Sequence, residues 1–237
     1  MTRSNATTER LFKTAGLCEG MRVLELGCGP GEVTEVLARL VGPQGGVLAV
    51  DRSEKSLTAA RERLSGIETV RFTCADLNDG PGYLADIEQS SFDAIAGRRV
   101  FMYLQQPAQV LGGLRPWLRD RGLVVFEEAD STLCPGRVGA YPAHDQAVAW
   151  LDRMLDAEGV DRSMGFHLPQ TFLEAGLSFE RIWAEAVVEG QGDQFPLGEL
   201  LTLIAPRLEA AAIASADDIA ALVDQLQREI DASMVFV

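Results

Sequence analysis

Lysine is almost missing from this 237-residue chain. Lys13 and Lys55 stand alone, and arginine supplies the rest of its 21 basic residues. Set against 35 acidic residues, they leave a formal net charge of −14 and an isoelectric point near 4.6. Such a chain lacks the cationic footprint that neutralises phosphates, which argues against DNA or RNA as a partner. The pair Arg98-Arg99 is the nearest thing to a basic patch. Arginine in place of lysine, with many alanines, is the usage of a GC-rich bacterial genome. Cysteine is sparse too. Cys18, Cys28, Cys74 and Cys134 are scattered and form no Cys-x-x-Cys pair, so free thiols in a reducing compartment are expected rather than a disulfide framework. No apolar run approaches the roughly 20 residues of a membrane-spanning helix. The polar stretch 1–13 has no hydrophobic signal core, so a cytoplasmic protein without a membrane partner is expected. His-Glu-x-x-His and cysteine clusters are absent, and no metal site is expected. Gly-x-Ser-x-Gly is absent as well, which removes the nucleophile elbow of the serine hydrolases.

What the chain does have is 47% hydrophobic residues, enough for one sizeable α/β core. Its most informative stretch is Val23-Leu24-Glu25-Leu26-Gly27-Cys28-Gly29-Pro30-Gly31, an apolar strand running into a glycine turn. A helix is expected from Glu32 to Leu40, then a second strand, Val47-Leu48-Ala49-Val50-Asp51, ending in a carboxylate. A nucleoside-binding βαβ unit has this layout, with the helix N-terminus facing the ligand. A dinucleotide fingerprint needs its third glycine where Glu32 stands, and a carboxylate there repels a pyrophosphate. Glu25, two residues before the turn, instead suits a ligand carrying an amino group or a cation.

These residues resemble motif I of the class I S-adenosylmethionine-dependent methyltransferases, Glu/Asp-x-Gly-x-Gly-x-Gly. The likeness continues through Asp51, Asp76 in Phe72-Thr73-Cys74-Ala75-Asp76-Leu77, the segment Phe92-Asp93-Ala94-Ile95-Ala96-Gly97-Arg98, and the fifth strand Leu123-Val124-Val125-Phe126-Glu127. It covers roughly the first 130 residues. The resemblance implies a Rossmann-like, doubly wound, mostly parallel seven-stranded sheet with a helical cover over the active site. It implies S-adenosylmethionine as cofactor and S-adenosylhomocysteine as product. It assigns cofactor contacts to Glu25, Gly27, Cys28, Gly29, Gly31, Asp51, Arg52, Cys74, Asp76, Leu77, Gly97 and Arg98. Asp51 matches the acid that holds the ribose hydroxyls, and Asp76 the acid that meets the adenine amino group. The run Arg98-Arg99-Val100-Phe101-Met102-Tyr103-Leu104 resembles the corresponding loop of bacterial methyltransferases acting on small metabolites, natural-product enzymes among them.

The strand–helix alternation predicts a leading helix over 4–20, ending near Gly16, and strands near 22–26, 69–74 and 94–97. Ser53 caps a helix reaching Leu64, and residues 107–118 are helical. Beyond residue 129 the alternation stops. Residues 131–143 are rich in Pro and Gly, 145–158 form an amphipathic helix, and 169–175 begin another that ends at Gly176. Residues 178–188 have β character. Residues 199–214 and 217–232 read as a helical hairpin, and 234–237 as a strand-like end. One methyltransferase domain is expected over 1–237, with 1–130 as the cofactor-binding core. Residues 131–237 then supply the acceptor cover, chiefly 130–166 and 190–214, and the last part of the sheet.

Methyl transfer from a sulfonium needs the nucleophile held in line, and a base only where the acceptor must lose a proton. His144 and His167 are candidate bases, or surface or capping histidines. Glu127 and Tyr103 are further catalytic candidates. Met102, Tyr103, Glu128, Tyr141, Trp150, Met154 and Phe166 are candidates for the acceptor site, where aromatic and soft apolar groups suit a flat apolar molecule; Trp150 and Met154 equally fit plain helix packing. The acceptor expected is a small aromatic or apolar metabolite, indole or phenol in type, methylated at C, N or O by a monomer or homodimer. The rivals are a protein or RNA methyltransferase and a non-methylating or regulatory relative. The absence of an Asn-Pro-Pro-Tyr-type motif after strand four weighs against the first.

Overall fold

The computed structural model describes residues 3–132, 140–185, 189–190, 197–232 and 235–236. The chain divides into two compact units, Met1–Ala129 with Met164–Glu180, and Asp130–Ser163 with Arg181–Val237.

The first unit is built on strands β1 (Arg22–Leu26), β2 (Gly46–Asp51), β3 (Val70–Cys74), β4 (Phe92–Arg98) and β5 (Leu118–Glu127). All pair in parallel, in the order β3-β2-β1-β4-β5. Four of the five residues of β1 are buried, the near-continuous apolar run of a strand covered on both faces. Helix α1 (Arg3–Ala15) and α2 (Glu32–Val41) cover one face. Phe12 and Leu17 pack there with Val23, Val33, Val36, Leu37 and Val41, at the spacing that puts a stripe of α2 against the sheet. Helix α3 (Glu54–Arg63) is capped by Ser53, whose hydroxyl accepts the Ser56 N–H at 3.2 Å. Helix α4 (Pro107–Leu114) follows β4, and its end tightens into a 3-10 turn at Arg115–Trp117.

The strand order reverses between β1 and β4, and this is where open α/β sheets hold ligands, beyond the carboxyl ends of the strands. Register brings Leu26 beside Gly97, Asp51 beside Cys74, and Arg98 beside Glu127. The candidate residues of five elements therefore share one edge.

Five expectations need correction. The sheet has five strands among the described residues, not seven. Residues 178–185 form no regular element, with Phe179, Ile182 and Trp183 exposed. The strand-like end instead pairs antiparallel, Val235–Phe236 with Glu189–Gly190, in a separate two-stranded ribbon. β5 starts five residues before Leu123, because Arg121, at φ +62°, forms with Gly122 an irregularity within the strand rather than its start. The helix expected from Pro169 begins at Met164 and carries the proline inside it (α6 after α5 below, Met164–Glu174). Phe126 joins this helix to the sheet, stacked on Phe101 at 4.2 Å and edge-on to Phe172 at 6.3 Å.

The second unit contains α5 (Pro142–Ala157), α7 (Leu197–Ala210) and α8 (Ala216–Asp231). Trp150, Met154, Leu201, Leu208, Leu222 and Leu226 belong to their shared core. Ser215 and Asp218 close a capping box at the start of α8. The Glu229 carboxylate accepts the N–H groups of Ala143 and His144 at 2.8 and 3.0 Å, meeting the free donors of α5's first turn. Cys134 and residues 133–139, 186–188, 191–196, 234 and 237 of the predicted loop, β stretch, cover and strand lie outside the described residues.

Candidate active site

Gly27, Gly29 and Gly31 all take positive φ, +65°, +52° and +84°, a conformation that side chains resist. At Gly31 space forbids a side chain as well. A Cβ there meets Leu64 Cδ1 at 2.7 Å and Ala60 Cβ at 3.0 Å. At Gly29 a Cβ meets nothing within 4 Å, so this glycine opens the turn toward the ligand side. The Cys28 N–H donates to the Val50 carbonyl at 3.0 Å, which holds the turn over the end of β2. The Cys28 side chain is buried, and burial pushes its thiol well above the usual range.

Asp51 grips the same turn. Its Oδ2 accepts the Gly29 N–H and its Oδ1 the Ser53 N–H, both at 2.8 Å. A carboxylate offers about four lone-pair positions, so acceptor capacity is left for a ligand's hydroxyls. Asp76 Oδ1 accepts both the backbone N–H and the side-chain amide of Asn78 at 2.9 Å. Asn78 Oδ1 in turn accepts the Gln105 N–H at 3.1 Å, tying the loops after β3 and β4 together. Beside them lies a cleft of about 340 Å³, lined by uncharged groups including Leu77, Asn78, Tyr83, Gln105, Gln109 and Val110. Cys74 and Arg52 are exposed, and Leu77 is buried.

Glu25 is 1% exposed, and its Oε2 has no hydrogen-bond partner. Burial pushes the carboxyl up to about 8, against the opposing pull of the Thr34 hydroxyl and the Arg98 charge. Arg98 is held at the end of β4 by donation to Asn5 Oδ1 and Thr8 Oγ1 at 3.0 Å and to Glu32 Oε2 at 3.2 Å. The Thr8 hydroxyl donates to Glu127 Oε2 at 2.8 Å. The leading helix is thus fastened to the carboxyl ends of β4 and β5. Asn5 and Thr8, which carry no motif, and Glu32 thus anchor the Arg98 guanidinium. The only signal was a pair of small polar residues one turn apart on α1. At Gly97 a Cβ meets Phe126 Cε1 at 2.6 Å and the Leu26 carbonyl at 2.9 Å, so only glycine lets β4 pass there.

The buried acid with its Oε2 unpartnered, the open turn at Gly29 and the two acids, one ending β2 and one just after β3, fit a ligand with an ammonium group, ribose hydroxyls and an amino-bearing base. The methyltransferase-domain family model matches residues 17–161. The chain belongs to the methyltransferase-domain family. The Glu25, Asp51 and Asp76 carboxylates have the chemistry to hold S-adenosylmethionine. Malonyl-[acyl-carrier protein] O-methyltransferase of Bacillus cereus is 35% identical over 118 residues, 50% of this chain and 39% of that one. Demethylmenaquinone methyltransferase of Staphylococcus aureus is 32% identical over 87 residues, 37% of this chain and 34% of that one. The chain spans less than half the length of these curated relatives. A crystal structure of a SAM-dependent methyltransferase from Aquifex aeolicus shares the fold, with TM-score 0.54, 23% identity, and coverage of 71% of this chain and 78% of that one.

The remaining candidates fall in both units. Glu127 is engaged by Thr8, and Glu128 Oε1 accepts the Val100 and Phe101 N–H groups at 2.9 and 2.8 Å. Met102 is buried, whereas Tyr103 is 40% exposed in the turn after β4. Phe166 and His167 are exposed on α6 of the first unit. His144 is buried in the second unit, where Tyr141 precedes α5. Trp150 and Met154 are buried in that unit's helical core, and packing accounts for both. Among the described residues no group of His, Cys, Asp and Glu is placed to hold a metal ion, and no helix is long and apolar enough to cross a membrane.

Proposed function

We propose that this chain transfers a methyl group from S-adenosylmethionine to a small organic acceptor, aromatic or apolar, of indole or phenol type. The observation that carries the reading is the gathering of Glu25, Gly29, Asp51, Asp76 and Arg98 at one sheet edge. The cofactor, when bound, supplies an already activated methyl group. Asp51 accepts hydrogen bonds from the ribose hydroxyls through the lone pairs that Gly29 and Ser53 leave open. Asp76 takes the adenine amino group with its orientation fixed by Asn78. Glu25, protonated at neutrality in the free protein, releases its proton to solvent as the ammonium group docks against it, and the turn at Gly97 and Arg98 lies against the amino-acid end. Tyr103 stands exposed on the same edge and meets the acceptor. His144, Glu127 and His167 are the groups from which a base is drawn if the acceptor must lose a proton. The two named relatives act on a carrier-bound malonyl group and on demethylmenaquinone, which makes carrier-linked acids and quinol rings the competing acceptor classes.

The test is calorimetric titration with S-adenosylmethionine and S-adenosylhomocysteine. Incubation of methyl-labelled cofactor with indoles, phenols, a quinol and a malonyl thioester then follows. Binding with label on an indole or phenol supports the proposal, and label only on the malonyl thioester or quinol replaces the acceptor class. Binding with no transfer favours a non-methylating role, and a folded protein that binds neither ligand ends the reading.

A further inference from the structure

Glu128 is the first residue beyond β5, and its side chain turns under the loop that leaves β4. In that loop Arg99 has φ +53°, left-handed for a residue with a Cβ, and Val100 follows at φ −117°, ψ −41°. A left-handed residue followed by a right-handed one points successive N–H groups to one side, forming a nest that holds an anion. Here the anion is internal. Glu128 Oε1 accepts the N–H groups of Val100 and Phe101 at 2.9 and 2.8 Å, while the Arg99 N–H donates to the Glu127 carbonyl at 2.8 Å. Three consecutive donors are therefore secured by two consecutive residues at the end of β5. The left-handed Arg99 costs about 1 kcal/mol or more, so the loop keeps its shape only while those donors are held.

The loop begins at Gly97 and Arg98 and runs into the turn Phe101–Tyr103. Glu128 Oε2 is buried and has no hydrogen-bond partner. Burial pushes the carboxyl up to about 7, opposed by the Phe101, Val100 and Met102 N–H groups and by the Arg99 charge. Of the other charged groups at this strand end, Arg98 is engaged by Glu32 and Glu127 by Thr8.

We propose that Glu128 is a positioning residue, whose carboxyl fixes the loop that presents Gly97 and Arg98 to the cofactor and Tyr103 to the acceptor. The proposal rests on the cofactor reading above.

The experiment is amide hydrogen exchange by NMR together with titration of S-adenosylhomocysteine, on wild type, Glu128→Gln and Glu128→Ala. Glutamine keeps an oxygen that accepts both N–H groups, so protection of Val100 and Phe101 and the ligand affinity stay within about twofold of wild type. Alanine removes the oxygen. The two amides then exchange at least about tenfold faster, with β1 amides unchanged, and affinity drops about tenfold. In wild type alone the two amide shifts titrate with a midpoint near 7, which a merely space-filling Glu128 does not produce. Unchanged protection in Glu128→Ala, or equal loss in both variants, overturns the proposal. If the alanine variant does not fold, the glutamine variant decides, and Val100 and Phe101 amides that exchange as fast as exposed loop amides in wild type overturn it. If wild type itself binds no S-adenosylhomocysteine, the cofactor reading fails, while the exchange data still judge the loop.

Discussion

Replacing Asp51 with alanine separates two roles that the structure joins in one carboxylate. Its oxygens accept the Gly29 and Ser53 N–H groups, both at 2.8 Å. Both donors sit on a partly exposed rim where water substitutes in part, so each lost bond costs about 1 kcal/mol. About 2 kcal/mol in total corresponds to a fall of about 4–8 °C in Tm for a chain of this size. The ligand role is a separate quantity. Loss of the ribose hydrogen bonds weakens S-adenosylhomocysteine by about 1–3 kcal/mol, or about 5- to 150-fold in Kd. Thermal unfolding reads the first number and calorimetric titration the second. Asp51→Asn is the informative companion. Its amide oxygen keeps one N–H acceptor, but its NH₂ group confronts the other N–H, so affinity recovers only in part. A lowered Tm with wild-type affinity makes Asp51 a turn cap and removes it from the cofactor site. Wild-type values of both refute the geometry from which the argument starts.

Gly31→Ala combines φ +84° with a Cβ 2.7 Å from Leu64 Cδ1, and should cost about 2–4 kcal/mol; Gly29→Ala, with open space, should cost about 1 kcal/mol, and equal Tm losses would refute the packing argument. Glu25 holds its proton in the folded state up to about 8, whereas an unfolded carboxyl releases it near 4.3. The folded state thus binds more protons between those values, and stability declines as pH rises through them. Glu25→Gln should flatten the chemical-denaturation profile, most visibly between about pH 5 and 7; parallel profiles would show that Glu25 is not desolvated. His144→Ala should lower turnover about 100-fold with the acceptor found, at unchanged S-adenosylhomocysteine affinity, if the imidazole takes the acceptor's proton. Turnover equal to wild type would leave its burial in the second unit as its whole role.

The unit from β1 through α2 to β2 is legible in the residues because its signals are local. A buried apolar run, a turn that only glycine permits and a carboxylate at the next strand end lie within 30 residues, and each has one structural meaning. β5 begins ahead of its apolar run for an equally local reason. Its first half, Arg119-Asp120-Arg121, is polar and exposed, and Gly122 marks an irregularity inside a strand as readily as a strand start. In α6 the proline attracted the boundary to itself. The start lies instead at Met164, after a turn in which Asp161 accepts the N–H and hydroxyl of Ser163 at 2.9 and 2.7 Å.

The polar wiring of the site was the illegible part, since it joins positions far apart in the chain. Arg98 meets Asn5 and Thr8 across 93 and 90 residues, and no periodicity announces such a pairing. Glu32 was an argument against a pyrophosphate, and it also holds the Arg98 guanidinium. The adjacent acids Glu127 and Glu128 show the limit most clearly. They are alike in sequence, but neighbouring residues at a strand end point to opposite sides. Glu127 is met by the leading helix, and Glu128 turns into the nest of the loop after β4. Composition counts both as surface charge. Direction alone makes one a fastening for α1 and the other a buried carboxyl that titrates near neutrality, and direction is set by the register of β5 on β4.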